Sequence, residues 1–335
     1  MLNQLSLLVR LGLRVCAVAL FMLDSQSFAQ QTGTLTDYPV KPLRILVASS
    51  RGTANDFFAR SVGRELSAFY GKEVTVENRP GAGGMIGNVL VSKATPDGYT
   101  LGMIDMTRIV TKLMRAPPPY QAVADITGVA QVASITYVLV APHSIFARNL
   151  ADFIDDARSR SSELNYASLG IGSASHLAGE LFTRALGIEA MHVPFQKLSR
   201  SIVDIRRGRV HYAVLTLPAV LSAVNEGRIR AMAVMADQRN PALPGVPAIA
   251  EAGLPDAEFY SWSGIVAPRG TPRRVVEQLH GDVVSALRKA AVHDLFLRHG
   301  AQPTPDSTPE SFMQLIQDEY LRLQALLRER GIKAE

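Results

Sequence analysis

The sequence predicts an α/β fold with mostly parallel sheets, and three observations carry that prediction. Short apolar or β-branched runs alternate with runs of helical apolar spacing. Glycine, proline and asparagine punctuate the junctions, and no internal repeat, low-complexity tract or long linker interrupts the pattern.

Residues 43–48 read as the first strand. Residues 56–69 then place Phe57, Phe58, Val62, Leu66 and Phe69 at helical spacing, with Gly71 just past the end. Residues 74–76 form a short β-branched strand, Pro80-Gly81 a turn, residues 84–94 a short helix and residues 99–104 another strand. Further strands are expected at 137–140, 165–167, 191–195, 211–215 and 230–235. Helices are expected at 150–159, 176–186 with Gly187 at the end, 199–206 and 218–225. A Pro- and Gly-rich loop, 240–255, leads into residues 260–268. Helical spacing dominates the remainder, over 275–287, 292–299 and 309–328, with Ser307-Thr308 as capping candidates ahead of Pro309.

At the N-terminus, Arg10 and Arg14 precede an apolar run from Val15 to Leu23, and Ser27-Phe28-Ala29 supplies small residues where a signal peptidase reads. Residues 1–29 are therefore expected to be a signal peptide cleaved after Ala29, since an apolar run this short falls below the roughly 20 residues that span a bilayer. Cys16, the only cysteine, would leave with it, so a packed core and no disulfide must hold the remaining chain. Cleavage lowers the formal charge from +5 by one unit, and acidic and basic residues are interspersed. That distribution argues against nucleic-acid binding.

Gly81, Gly83 and Gly87, with Asp105 ending the next strand, imitate a dinucleotide fingerprint. Glu77 to Pro80 separate the strand from the first glycine, and the third glycine falls one position late, so a nucleotide cofactor is disfavoured. There is no Gly-x-Ser-x-Gly elbow around Ser173 or Ser175, although both lie beside His176. The seven histidines show no paired metal-ligand spacing. No catalysis, cofactor or metal is expected, and His176 and His192 read as packed or backbone-bonded.

Several segments recur in one known family. They include Tyr38-Pro39-Val40-Lys41-Pro42, Val76-Glu77-Asn78-Arg79-Pro80-Gly81-Ala82-Gly83-Gly84 and Asp97-Gly98-Tyr99-Thr100-Leu101. Asn165-Tyr166-Ala167-Ser168, Ser175-His176-Leu177-Ala178-Gly179-Glu180-Leu181-Phe182 and His192-Val193-Pro194 follow at matching separations. Later come Glu226-Gly227-Arg228, Pro241 to Pro247 and Glu251 to Pro255. In order and spacing the chain resembles the periplasmic solute receptors of the tripartite tricarboxylate transporter family, the Bug or TctC-like proteins. The resemblance implies a type II periplasmic-binding-protein fold, with two α/β lobes closing on a solute in the cleft between them. One lobe would combine 35–135 with 259–335, and the other would span 136–258. It also implies a monomeric periplasmic receptor for a small carboxylate or amino acid, delivering it to membrane transporter subunits. A sensor-kinase ectodomain is the alternative partner.

Ligands of open α/β sheets sit outside the carboxyl ends of strands, against helix N-termini. Two loops fit that position. The first offers Ser49, Ser50, Arg51, Thr53, Asn55 and Asp56, and the second Ser168, Gly170, Gly172, Ser173 and Ser175. Helix capping is the competing role for the hydroxyl and amide side chains. Thr216 and Asp105, at other strand ends, complete the candidate set, with Asp56 and Asp105 able to hold an ammonium group. Relatives carry a Pro- and Gly-rich run where this chain has Ala48 to Asn55. Arg51 is a newcomer there that could take a carboxylate bidentately or pair with Asp56 or Glu77. Phe195-Gln196-Lys197 replaces a Tyr-Lys-Gly, and His211 and Leu215 stand where relatives often carry acids. An amino acid, a di- or tricarboxylate and an aromatic carboxylate all remain open as the solute.

Overall fold

The computed structural model describes residues 38–115, 119–144, 147 and 149–332. The expected signal peptide, 1–29, lies outside them. No helix among the described residues is long and apolar enough to cross a membrane.

The elements follow in chain order: β1 (Leu43–Val47), α1 (Ala54–Tyr70), β2 (Val74–Asn78), α2 (Met85–Ser92), β3 (Thr100–Asp105), α3 (Thr107–Met114) and β4 (Ile126–Ala141). After these come α4 (Leu150–Ser159), β5 (Asn165–Ser168), α5 (Ala174–Leu186), β6 (Met191–Pro194), α6 (Leu198–Arg206), β7 (Tyr212–Thr216), α7 (Leu217–Asn225) and β8 (Arg230–Val234). The chain closes with β9 (Tyr260–Pro268), α8 (Arg273–Arg288), α9 (Ala290–Arg298), β10 (Ala301–Pro303) and α10 (Pro309–Glu329).

The strands form two sheets joined through β4. In the first, β1 pairs in parallel with β2 and β3, and β9 lies antiparallel between β3 and β4, with β10 on β4. In the second, β5 pairs in parallel with β6 and β7, while β7 and β8 run antiparallel to β4. Pairing is thus more mixed than the alternation predicts. The βαβ units are parallel as expected, but β4 and β9 carry the chain from one sheet to the other and back, and so oppose their neighbours. Along β4 the exchange is abrupt: Thr136 still pairs with Tyr260, and Tyr137 already pairs with Thr216.

Helices cover the sheets because each has one apolar stripe to bury. On the first sheet, α1 packs against β1, β2 and β3, and α8 and α10 against β4; on the second, α5 packs against β5 and β7. The α10 contact explains Gly264 in the middle of β9. A Cβ there would overlap the ring of Phe312, which meets Trp262 edge to face at 5.3 Å.

Candidate functional site

The carboxyl ends of β1, β2, β3, β5, β6 and β7 converge on one cavity of roughly 230 Å³. Both sheets contribute to its wall, through Ser49, Ser50 and Asp105 from the first and Ser173, Ser175 and Thr216 from the second.

Three helix N-termini point at it. Thr53 caps α1, accepting from the Asp56 amide at 3.5 Å, donating to the Ser50 carbonyl at 3.0 Å and sharing a 2.7 Å bond with the Ser49 hydroxyl. Helix geometry leaves the amides of Ala54 and Asn55, both cavity-lining, without intrahelical acceptors. Ser173 caps α5 through the His176 amide at 3.2 Å, and Ser175 accepts from the Leu169 amide at 2.9 Å. Thr216 is the N-cap residue of α7 but makes no side-chain cap bond, so its hydroxyl remains at the cavity wall.

Among the described residues, Asp105 and Arg115 are the only charged ones of the wall. The Asp105 carboxylate accepts from the Thr107 amide at 2.8 Å and is bonded by the side chains of Thr107 and Asn55. It keeps some exposure to the cavity, yet the enclosing protein withdraws water from it and pushes its pKa up. Asn55 is held from its other end by the Ser263 hydroxyl. Arg115 is half-buried, and among the described residues its guanidinium has no ion-pair partner.

The two sheets' loops touch around this cavity. The Ala174 amide donates to Thr107 Oγ1 at 3.2 Å, the Leu198 amide to Ser50 Oγ at 3.3 Å, and the Thr111 hydroxyl lies 2.9 Å from both the Gly83 and Gly172 carbonyl oxygens. Gly83 adopts φ +63°, and a Cβ there would overlap the Ile171 carbonyl. The glycine run that imitates a nucleotide fingerprint is accounted for by such close packing; a Cβ on Gly87 would likewise meet the Ala48 backbone.

Of the residues expected from sequence, Ser49, Ser50, Thr53, Asn55, Asp105, Gly170, Ser173, Ser175 and Thr216 lie on the cavity wall. Arg51, Asp56, Ser168 and Gly172 do not. Arg51 is exposed and pairs with neither expected acid, because Asp56 holds Arg60 at 2.8 Å and Glu77 holds Arg79 at 2.7 Å. Asp56 also accepts from the Gly52 amide and the Asn78 side chain, which fixes the loop from behind. Ser168 is fully buried against His192 Nε2 at 2.6 Å, and the Gly172 amide donates to His176 Nδ1 at 3.2 Å. These two imidazoles stack at 3.9 Å beneath the second loop, and burial lowers both pKa values to about 4.

Sequence reasoning did not assign Thr107, Arg115, Tyr137, Phe195, Gln196 or Ala219 to the wall, nor Pro80 to Gly84. The glycine run was itself a signal, weighed against a nucleotide fingerprint, disfavoured there, and not assigned to this cavity. Arg115 had none, since it ends a helix that the spacing did not reveal.

A cavity at the carboxyl ends of six strands, gripped by loops of two sheets, is the arrangement of a solute-binding protein. The family described as "TctC: Tripartite tricarboxylate transporter family receptor" matches residues 58–332, and the chain belongs to it. A similar protein, the "UPF0065 protein in tcbD-tcbE intergenic region" of Pseudomonas sp. (strain P51), is 34% identical over 321 residues, covering 96% of this chain and 94% of that one. Rpa4515 of R. palustris, solved with adipate, superimposes with a TM-score of 0.86 at 31% identity, covering 89% of this chain and 100% of that one. The periplasmic binding protein BugD gives 0.85 at 25% identity with the same coverage. The type II periplasmic-binding-protein fold and the receptor class both follow.

Proposed function

We propose that this chain is a periplasmic receptor that captures a small carboxylate in the cavity, unchanged by any catalysis, and delivers it to a membrane transporter of the tripartite tricarboxylate type. The observation that carries this reading is the convergence of the α1, α5 and α7 N-termini on one cavity, with an arginine in its wall that has no ion-pair partner among the described residues. First-turn amides and the helix dipole favour an anion, by about 0.3–1 kcal/mol for each exposed terminus and more when enclosed. Ser49, Ser50, Thr53, Asn55, Ser173, Ser175 and Thr216 supply hydroxyl or amide groups around it. Adipate bound by Rpa4515 and the periplasmic setting of BugD support the same ligand class and location.

Closure in this reading brings together two lobes, 35–135 with 259–335 and 136–258. The pairing exchange between Thr136 and Tyr137 supports a hinge at that point, and the return into β9 at Tyr260 supplies the second crossing. The solute would select the closed arrangement by touching both sets of loops at once.

A thermal-shift and calorimetric screen of amino acids, monocarboxylates, dicarboxylates, tricarboxylates and aromatic acids tests the proposal. A true ligand at 100 times its Kd adds about 2.7 kcal/mol to stability. It should be recovered unchanged after prolonged incubation. Failure of every carboxylate to raise the melting temperature, or conversion of the bound compound, overturns it.

A further inference from the structure

We infer that Arg115 is the residue by which this cavity distinguishes a dicarboxylate from a monocarboxylate. The inference rests on the proposed function and adds to it a specificity determinant that lies outside the two loops at the helix N-termini.

The wall offers anions two chemically different grips. The first-turn amides of Ala54 and Asn55 in α1 are neutral dipoles on the wall, suited to a carboxylate group. A second carboxylate entering the same cavity gives up part of its water and needs a counter-charge, since an uncompensated charge in a desolvated site is costly. Among the described residues Arg115 is the only cation of the wall. The other candidate from the sequence, Arg51, is exposed and off the wall, and Asp105 is already engaged by Thr107 and Asn55.

Arg115 is also positioned rather than loose. It follows α3, and its stem lies against the backbone of Gly172, where an added Cβ would meet Cγ at 3.0 Å and Cδ at 3.2 Å. Gly172 belongs to the loop of the opposite sheet, so the contact forms when the loops meet. The absence of a side chain at Gly172 gives the arginine its track, and Thr111 fixes the same glycine by its carbonyl at 2.9 Å. A half-buried planar fork on the cavity wall, with no ion-pair partner among the described residues, matches a carboxylate bidentately. A monocarboxylate held on the helix N-termini leaves that fork unanswered.

Matched acids isolate the effect: adipate against hexanoate, and succinate against butyrate, titrated into the wild type, Arg115→Met and Arg115→Lys. Methionine keeps an unbranched stem for Gly172 and removes the charge. In Arg115→Met the Kd for the diacid that binds should rise about 10- to 100-fold, while the matched monoacid changes less than about threefold, with an unchanged melting temperature. Arg115→Lys should fall between, keeping charge without the fork. Where no monoacid binds the wild type, loss of the diacid in Arg115→Met with partial retention in Arg115→Lys is the supporting result. Equal weakening of both acids, or unchanged diacid affinity, overturns the inference and leaves the receptor reading standing. A wild type that binds no carboxylate at all overturns both.

Discussion

Gly83 concentrates the constraints of the site in one residue. Its positive φ costs an L-residue about 1–2 kcal/mol in any state, whereas overlap of a Cβ with the Ile171 carbonyl arises only where the two loops meet. Gly83→Ala should therefore weaken solute binding by about tenfold or more while lowering the ligand-free melting temperature only modestly, as titration and melting of the same preparation would show. The stacked His176 and His192 make a second residue-scale prediction. Their ordinary pKa of 6.5 falls to about 4 in the fold, so between those values the unfolded chain binds protons that the folded chain refuses. Stability should decline as pH drops through that window, and His192→Gln should flatten the decline; parallel slopes in the two proteins would dismiss the histidines as its source. Ser49, Thr53, Ser173 and Thr216, candidates from the sequence because small polar residues at strand ends announce themselves, lie on the cavity wall. The sequence could not separate wall from backing. Asp56 and Ser168 are the same residue types in the same loops, turned behind the wall by bonds to Arg60 and His192 that only three-dimensional packing determines.

Among the elements, those with clean periodicity were legible and those with a buried charge or small residues were not. Helix α3 escaped because Arg108 sits inside it, buried, where the apolar pattern should continue. Its guanidinium donates to the Ala122 and Gln121 carbonyls at 2.7 and 2.9 Å and to Ser92 Oγ at 2.8 Å. Burial lowers its pKa to about 10, which still leaves it charged. Only residues 137–140 of β4 were recognised, because Gly128, Ala130, Ala133 and Ser134 interrupt its β-branched character; partners β9 and β10 supply the pairing instead. Helix α10 shows the opposite case. Of the two capping candidates Thr308 is the cap, exchanging bonds of 3.0 and 2.8 Å with Ser311, while Ser307 turns to the Gln131 carbonyl. Thr308→Ala should cost about 1 kcal/mol, roughly 2 °C in melting temperature, with solute affinity unchanged. A loss of affinity would mean that α10 influences the cavity from a distance.

At the scale of the whole molecule, the α/β class and the strand-end position of the cavity were legible, since alternation and loop composition depend only on local chain properties. The exchange of partners along β4 was not, because pairing between residues 136 and 260 is written in no local pattern. A cysteine-free core is a further whole-molecule expectation. Among the described residues no cysteine occurs, so the melting temperature of the protein from residue 30 onward should be the same with and without a thiol reductant. The placement of β9 has a consequence for the order in which the molecule can be assembled. That strand fills the middle of the first sheet, between β3 and β4, although it lies more than 100 residues beyond both in the chain. The first sheet therefore stays open while the whole of the second is being made, and it closes only once residue 268 is available.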